Sequence, residues 1–375
     1  MYSLPMSTRA VTTAILSLVG CAGVNAQSFT LIAPPSGGTA TRIDGVSADG
    51  SVATGTSGFG GAGAASFIWT AAAGRMDVGL DPGFPVFNGP RAISGDGLTI
   101  AGTASGAEQP GRAFRWSAAS GFQSLGLLPG AEFSIANDVS GDGSVVVGRN
   151  EYGSGGLAFR WTEAEGMTSL GFTRPGHFFS EASAVSRDGG AIVGISFGAS
   201  TTDAFAWTST TGMTTLPPLP GAGGAYASGV NFNASIVVGT SGVHFERAVM
   251  WQNGATIDLG LASGYSASNA YAVNDDGTVV VGSVRAIGSE LAAVWTPQTG
   301  MRTLVDFLAL HGVTVPAGVS PLTCTGVSAD GNTIVGYTGL PGQVNQGFVA
   351  TIPSPGSLGA AGALLVAGAR RRRSA

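Results

Sequence analysis

From about residue 29 to residue 352 the apolar positions fall in short runs, broken by turn residues. Four such runs in one stretch are Ala182 to Ser186, Ala191 to Ser196, Ala204 to Thr208 and Met213 to Leu216. Asp188-Gly189, between the first two, is hairpin chemistry: glycine accepts positive φ, and aspartate bonds its own backbone. Second runs such as Val145-Val146-Val147 are apolar on both faces, which predicts strands buried from two sides. In the third run Phe205 and Trp207 lie two apart and share a face.

This unit repeats. Val46-Ser47-Ala48-Asp49-Gly50, Ile93-Ser94-Gly95-Asp96-Gly97, Val139-Ser140-Gly141-Asp142-Gly143 and Val185-Ser186-Arg187-Asp188-Gly189 recur at about 46 residues. Val230-Asn231-Phe232-Asn233-Ala234, Val273-Asn274-Asp275-Asp276-Gly277 and Val327-Ser328-Ala329-Asp330-Gly331 extend the series to seven. All six tryptophans, Trp69, Trp116, Trp161, Trp207, Trp251 and Trp295, keep the same phase. So do the glycines that close the second run, from Gly55 and Gly102 to Gly336. Four short strands per unit at this period predict an all-β fold, a seven-bladed β-propeller. The seventh copy stops after its third strand, and Phe29 to Ala33 reads as an orphan fourth strand. The N-terminal strand is therefore expected to close the last blade and remove a free edge.

Ala-Phe-x-Trp in Ala113-Phe114-Arg115-Trp116, Ala158-Phe159-Arg160-Trp161 and Ala204-Phe205-Ala206-Trp207 resembles the HAF family of extracellular repeats. The family's histidine is replaced by Arg112, Leu157 and Asp203. The resemblance spans nearly all of residues 29 to 352; it implies an exported bacterial protein and transfers no catalytic residue.

Both termini point to export. Arg9, the apolar run Ala10 to Gly20 and the small-residue site Val24-Asn25-Ala26 read as a signal peptide over residues 1–26, cleaved after Ala26. Leu18-Val19-Gly20-Cys21 also resembles a lipoprotein lipobox, which would place the mature terminus at Cys21. At the other end, residues 353–375 carry Pro353-Ser354-Pro355, an apolar stretch and Arg370 to Arg373. That order resembles a PEP-CTERM sorting tail, with Ser354 where the family has glutamate, and it implies an exosortase-like processing enzyme. The alternative is a hydrophobic anchor with its arginines kept inside, although the stretch is short for a span. The membrane is expected to be met only through these ends. The localisation expected is therefore secreted, or at the cell envelope or surface of a bacterium.

Composition narrows the function. Glycine supplies 62 of 375 residues, and the chain has no lysine. Residues 27–352 hold twelve arginines and all 22 acids, a net charge of −10, which argues against a nucleic-acid partner. After cleavage Cys324 is the one remaining cysteine, so no internal disulfide or cysteine metal cluster can form, and a buried apolar role is expected. The tryptophans fit packing between blades better than sugar platforms. The Asp-Gly segments lack the other oxygens of a calcium loop. His177, His244 and His311 lie in different copies without motif spacing, so no metal, no cofactor and no catalytic constellation are expected.

One binding surface remains. Loops joining second to third strands, and fourth strands to the next blade, open on one face. They carry Phe87, Phe133, Glu151, Tyr152, Arg174, His177, Phe178, His244 and Glu246, an aromatic and acidic rim suited to an extracellular glycan or protein. The long connection Val305 to Leu322, with His311, is a candidate lid or specialised contact. The expectation is a monomeric binding or matrix module. The alternative is a polysaccharide-cleaving propeller enzyme, which would need Glu108, Glu151, Glu246 and Glu290 to converge.

Overall fold

The computed structural model describes residues 27–352 except 37, 59–63, 85, 107–109, 154, 243–245 and 340–344. Ala26, Pro353, Pro355 and Arg370 lie outside the described residues, as do Glu108 and His244.

Strands dominate, in antiparallel four-stranded sets that follow one another along the chain, the third and fourth joined by one parallel bridge between Gly156 and Phe179. In the fourth unit Phe179–Val185, Ala191–Phe197, Thr202–Thr208 and Gly212–Leu216 pair in that order. The first of these starts three residues before the apolar run, because Phe179 pairs across to Phe197. The same order holds in the sets that begin at Thr41, Phe87, Phe133, Ala225 and Ala267. The last set, Pro321–Val327, Thr333–Thr338 and Gly347–Thr351, takes its fourth strand from Ser28–Ile32. That strand runs antiparallel from Ser28 opposite Thr351 to Ile32 opposite Gly347, and Phe29 stacks on Phe348. First strands touch one another from unit to unit, and Thr41–Val46 touches both Phe87–Ile93 and Pro321–Val327.

The repeated turn explains this order. Ser186 Oγ donates to Asp188 Oδ1 at 2.5 Å and accepts from Ala191 N at 2.9 Å, while Gly190 N donates to Asp188 Oδ1. Asn231 and Asn274 replace the serine in their units with the same bond back to the following strand. Held this way, each turn donates to a backbone carbonyl of the next. Ala48 N donates to Gly95 O, Asp96 N to Gly141 O, Gly141 N to Arg187 O and Asp188 N to Phe232 O. Asn231 Nδ2 then donates to Asp275 O, Asp275 N to Ala329 O, and Ala329 N back to Ala48 O.

A second device sits in each first strand. Register with the second strand slips by one residue between Ile43 and Gly45, Pro90 and Ala92, Ala136 and Asp138, and Ala182 and Ala184. It slips again between Ala227 and Gly229, Ala270 and Ala272, and Cys324 and Gly326. These are β-bulges, which kink a strand and leave one residue unpaired. The kink presses a carbonyl onto the facing glycine: a Cβ on Gly194 would collide with Glu181 O, and one on Gly148 with Ile135 O. The glycine that closes the apolar run lies inside each second strand rather than at its end, and is thus the counterpart of the bulge.

Between units, Phe67, Phe114, Phe159, Phe205 and Phe348 are fully buried. Trp116, Trp161 and Trp251 are buried as well, and Trp251 Nε1 donates to Pro217 O on the connection from the preceding unit. Trp207 is only half-buried. Cys324 is fully buried, and burial pushes its thiol pKa up, in keeping with an apolar role. The expected lid is corrected here. Thr303 caps a short helix, Leu304–Leu310, whose Leu304, Phe307 and Leu308 enter the same core as Cys324 and Phe348.

Removing the Phe205 ring leaves a closed cavity, so Phe205→Ala should cost about 3–5 kcal/mol in urea unfolding, and Trp207→Ala less. Ala234 holds φ at 58°, where the other six turns place a glycine at φ between 72° and 76°. Ala234→Gly should therefore stabilise the fold by about 0.5–1 kcal/mol, read as a raised urea midpoint.

Candidate functional site

The residue at each bulge is Asp44, Arg91, Asn137, Ser183, Ser228, Tyr271 and Thr325 in turn. All seven line one cavity of about 200 Å³ between the first strands. Strand alternation would send this column into the sheet packing. The bulge turns it into a central channel instead. Every member is polar, and Asp44, Arg91, Asn137, Ser183, Tyr271 and Thr325 also line a wider cavity of about 430 Å³ at the end remote from the turns. That mouth adds Arg42, Glu181, Glu290, Thr323 and Tyr337.

Most charges at the mouth are paired within the protein. Asp44 is bound by Arg42 and accepts from Thr56 Oγ1 at 3.0 Å. Glu181 accepts from Arg149 at 2.6 Å and from Asn137 Nδ2 at 2.7 Å. Arg149 also grips Glu151 at 2.7 Å and lies over the Phe179 ring. Arg91 differs: among the described residues it makes no side-chain hydrogen bond or ion pair, although its side chain is exposed to the channel. Enclosure by the walls and the nearby Arg42 lower its pKa, opposed by Glu181 and Asp44. Asn137 Oδ1 is buried without a partner. Tyr271 reaches Ser283 Oγ at 3.3 Å; burial, with Glu290 nearby, raises its pKa.

At the turn end, Arg187 of the fourth unit pairs with Asp275 of the sixth at 3.0 Å, past the fifth. Asp138 accepts from Val185 N and Val139 N at 2.8 Å. Burial still pushes Asp138 up to about 6, against those amides and Arg187. Burial does the same to Asp44, up to about 6, against Arg42, Thr56 and Arg91. Among the described residues no three His, Cys, Asp or Glu side chains gather to hold a metal.

The rim residues read from sequence serve mostly to order their own loops. His177 is buried, with Nδ1 at 2.8 Å from Ser196 and Nε2 at 2.8 Å from Thr201. Arg174 forks onto Asp203 at 2.6 and 2.7 Å. Phe133 covers Gly111, as Phe179 covers Gly156 in the next unit, and Phe87 folds over Gly89. Tyr152 packs beside the core of the third unit. Phe178 is exposed, edge-on to Phe197. His311 ends the short helix with Nδ1 against Phe307 O. Glu246 is paired with Arg285, so of the described candidate carboxylates only Glu290 lines the mouth. Aligning the seven copies column by column would have exposed the polar bulge position, which an alternating-strand reading hides.

No protein-family model matches the chain, and no curated protein does. Solved structures do. The chain is similar to an oligogalacturonate lyase from Vibrio parahaemolyticus, with TM-score 0.58 and 10% identity over 88% of this chain and 98% of that one. An oligogalacturonate lyase in complex with manganese scores 0.57 at 12% identity, over 87% and 93%. A prolyl endopeptidase structure scores 0.56 at 12% identity, over 92% of this chain and 50% of that one. The chain likewise spans only about half, 53%, of TolB from Acinetobacter baumannii, at TM-score 0.42 and 15% identity over 57% of this chain. At such identities the likeness is one of fold: the chain has an all-β, propeller-type architecture.

The two raised carboxyls set a pH dependence. A free aspartate titrates near 3.9, so between about pH 4 and 6 the folded protein binds more protons than the unfolded chain. Stability then falls as pH rises through that window. Hydroxyl and amide donors outweigh any burial at the turn carboxylates Asp49, Asp142 and Asp276, hold them below the usual range and confine their effect to lower pH. Thermal unfolding should have a higher midpoint at pH 5 than at pH 7.5, with Asp138→Asn flattening the difference. A higher midpoint at pH 7.5 would mean that both carboxyls ionise without penalty.

Proposed function

We propose that the chain is a seven-bladed β-propeller, closed by its N-terminal strand, and that it is an exported, glycan-binding module of the bacterial cell surface or extracellular matrix. The seven-copy repeat and the pairing of Ser28–Ile32 with Gly347–Thr351 support the closed ring. The signal-like start, the sorting-like tail and the HAF-like repeats support export and processing by an exosortase-like enzyme. The observation that carries the binding reading is the channel mouth, where arginine, carboxylate, tyrosine and hydroxyl groups converge on a cavity of about 430 Å³. That volume lies in the range of small-ligand sites, about 300–1,000 Å³. Sugars are recognised by just such planar polar groups set beside aromatic rings.

A second reading, cleavage of an extracellular polysaccharide, is favoured by one feature. Asp44, raised to about 6, holds its proton more readily than a free aspartate, in the same mouth as Glu181 and Glu290. Proton donation to a leaving oxygen needs a raised carboxyl of this kind.

A glycan array probed with the full-length protein tests the binding reading. Binding to extracellular polysaccharide fragments, reduced by Tyr271→Ala with unchanged thermal unfolding, is the expected result. Release of new reducing ends that stops in Asp44→Asn would instead favour the enzyme. Deleting Ser28–Ile32 should lower the unfolding midpoint of the whole protein, and an unchanged midpoint would count against ring closure.

A further inference from the structure

The other arginines lining or beside the channel already have acidic partners: Arg42 with Asp44, Arg149 with Glu181 and Glu151, and Arg187 with Asp275. Arg91 stands between the first two pairs without a carboxylate of its own. Crowded by the walls and by Arg42, yet exposed to the channel, its guanidinium keeps its donors free for what enters. Its planar fork matches a carboxylate with two parallel bonds. One acceptor faces the same space: the Glu290 side chain lines the mouth and makes no hydrogen bond or ion pair among the described residues. It calls for a donor, and a carboxylate group supplies none.

We infer that the channel mouth binds an acidic sugar, its carboxylate seated on Arg91 and a hydroxyl donated to Glu290. This rests on the glycan-binding reading and specifies the chemistry of the same site. Neighbouring acids do not forbid it, because Asp44 and Glu181 are neutralised by Arg42 and Arg149. The net charge of −10 over residues 27–352 sets a limit: a long polyanion is repelled by the outer surface, so the site takes a short acidic fragment or a chain end.

Calorimetry with the full-length protein at pH 7 compares glucuronate, glucose and glucose 6-sulfate. Glucuronate should bind roughly 10- to 100-fold more tightly than glucose, as expected for charge-assisted bonds, and more tightly than the sulfate. Arg91→Gln should remove that advantage, and Arg91→Lys should restore part of it without the fork. Equal affinity for glucuronate and glucose overturns the assignment, as does equal affinity for the sulfate or an advantage that survives in Arg91→Gln. In each case the glycan reading stands. Failure of all three sugars, with a neutral glycan registering on the array, also overturns this assignment alone; failure on the array too overturns both. The three-sugar comparison on the unmutated protein decides the matter even if Arg91→Gln does not fold.

Discussion

The hydrogen-bonded belt of turns around the channel is the constraint on which the other features depend. A turn that closes a hairpin needs only its own bonds, and the serine–aspartate pair supplies them. Here the same bonds also fix where the residue between serine and aspartate points, so its amide or carbonyl meets the next turn. Seven such links tie each turn to a carbonyl of its neighbour. The last link, Ala329 to Ala48, joins residues far apart in sequence, so it forms only once the ends of the repeat array have met.

The bulge and its glycine are the second half of that arrangement. With first strands drawn together at the turns, continued pleating would drive side chains from all units into one another. Slipping the register by one residue turns a single side chain per unit toward the axis. The same slip sends a carbonyl toward the second strand, where only glycine leaves room. A position forced by backbone geometry to face an open channel contributes little to packing. It is therefore free to vary, and Asp, Arg, Asn, Ser, Tyr and Thr all occupy it. Rigidity in the turn and freedom in the channel thus come from one architecture, which suits a site that must hold polar groups at fixed positions.

Most of the fold was legible in the sequence because it is written repeatedly. The Asp-Gly hairpins, the doubly buried second strands, the Phe–Trp spacing and the orphan N-terminal strand all correspond to observed pairings. The site was not legible, for two physical reasons. Polar loop residues such as Arg174 and His177 look available in a linear chain, yet a loop must satisfy its own polar groups first, and Asp203, Ser196 and Thr201 take them. The channel column, conversely, sits inside strands whose alternation assigns it to packing. A bulge breaks that alternation, and its trace in sequence is only a polar residue two places before the Val or Ile of each turn.

Charge placement sharpens the meaning of that column. Among the channel acids, Asp44 and Glu181 are matched by arginines within the same wall, which is what folding alone requires of a partly buried charge. Arg91 satisfies no such requirement. A serine or threonine there, as in the fourth and seventh units, would leave the turns, the bulge and the glycine contacts unchanged. Replacing a guanidinium that bonds nothing in the protein should even relieve the fold of its desolvation. A residue that folding does not need, in a chain without lysine and with twelve arginines outside its end segments, is best accounted for by what enters the channel. The physics of the frame therefore ends at the bulge, and the chemistry of the ligand begins with the side chain it carries.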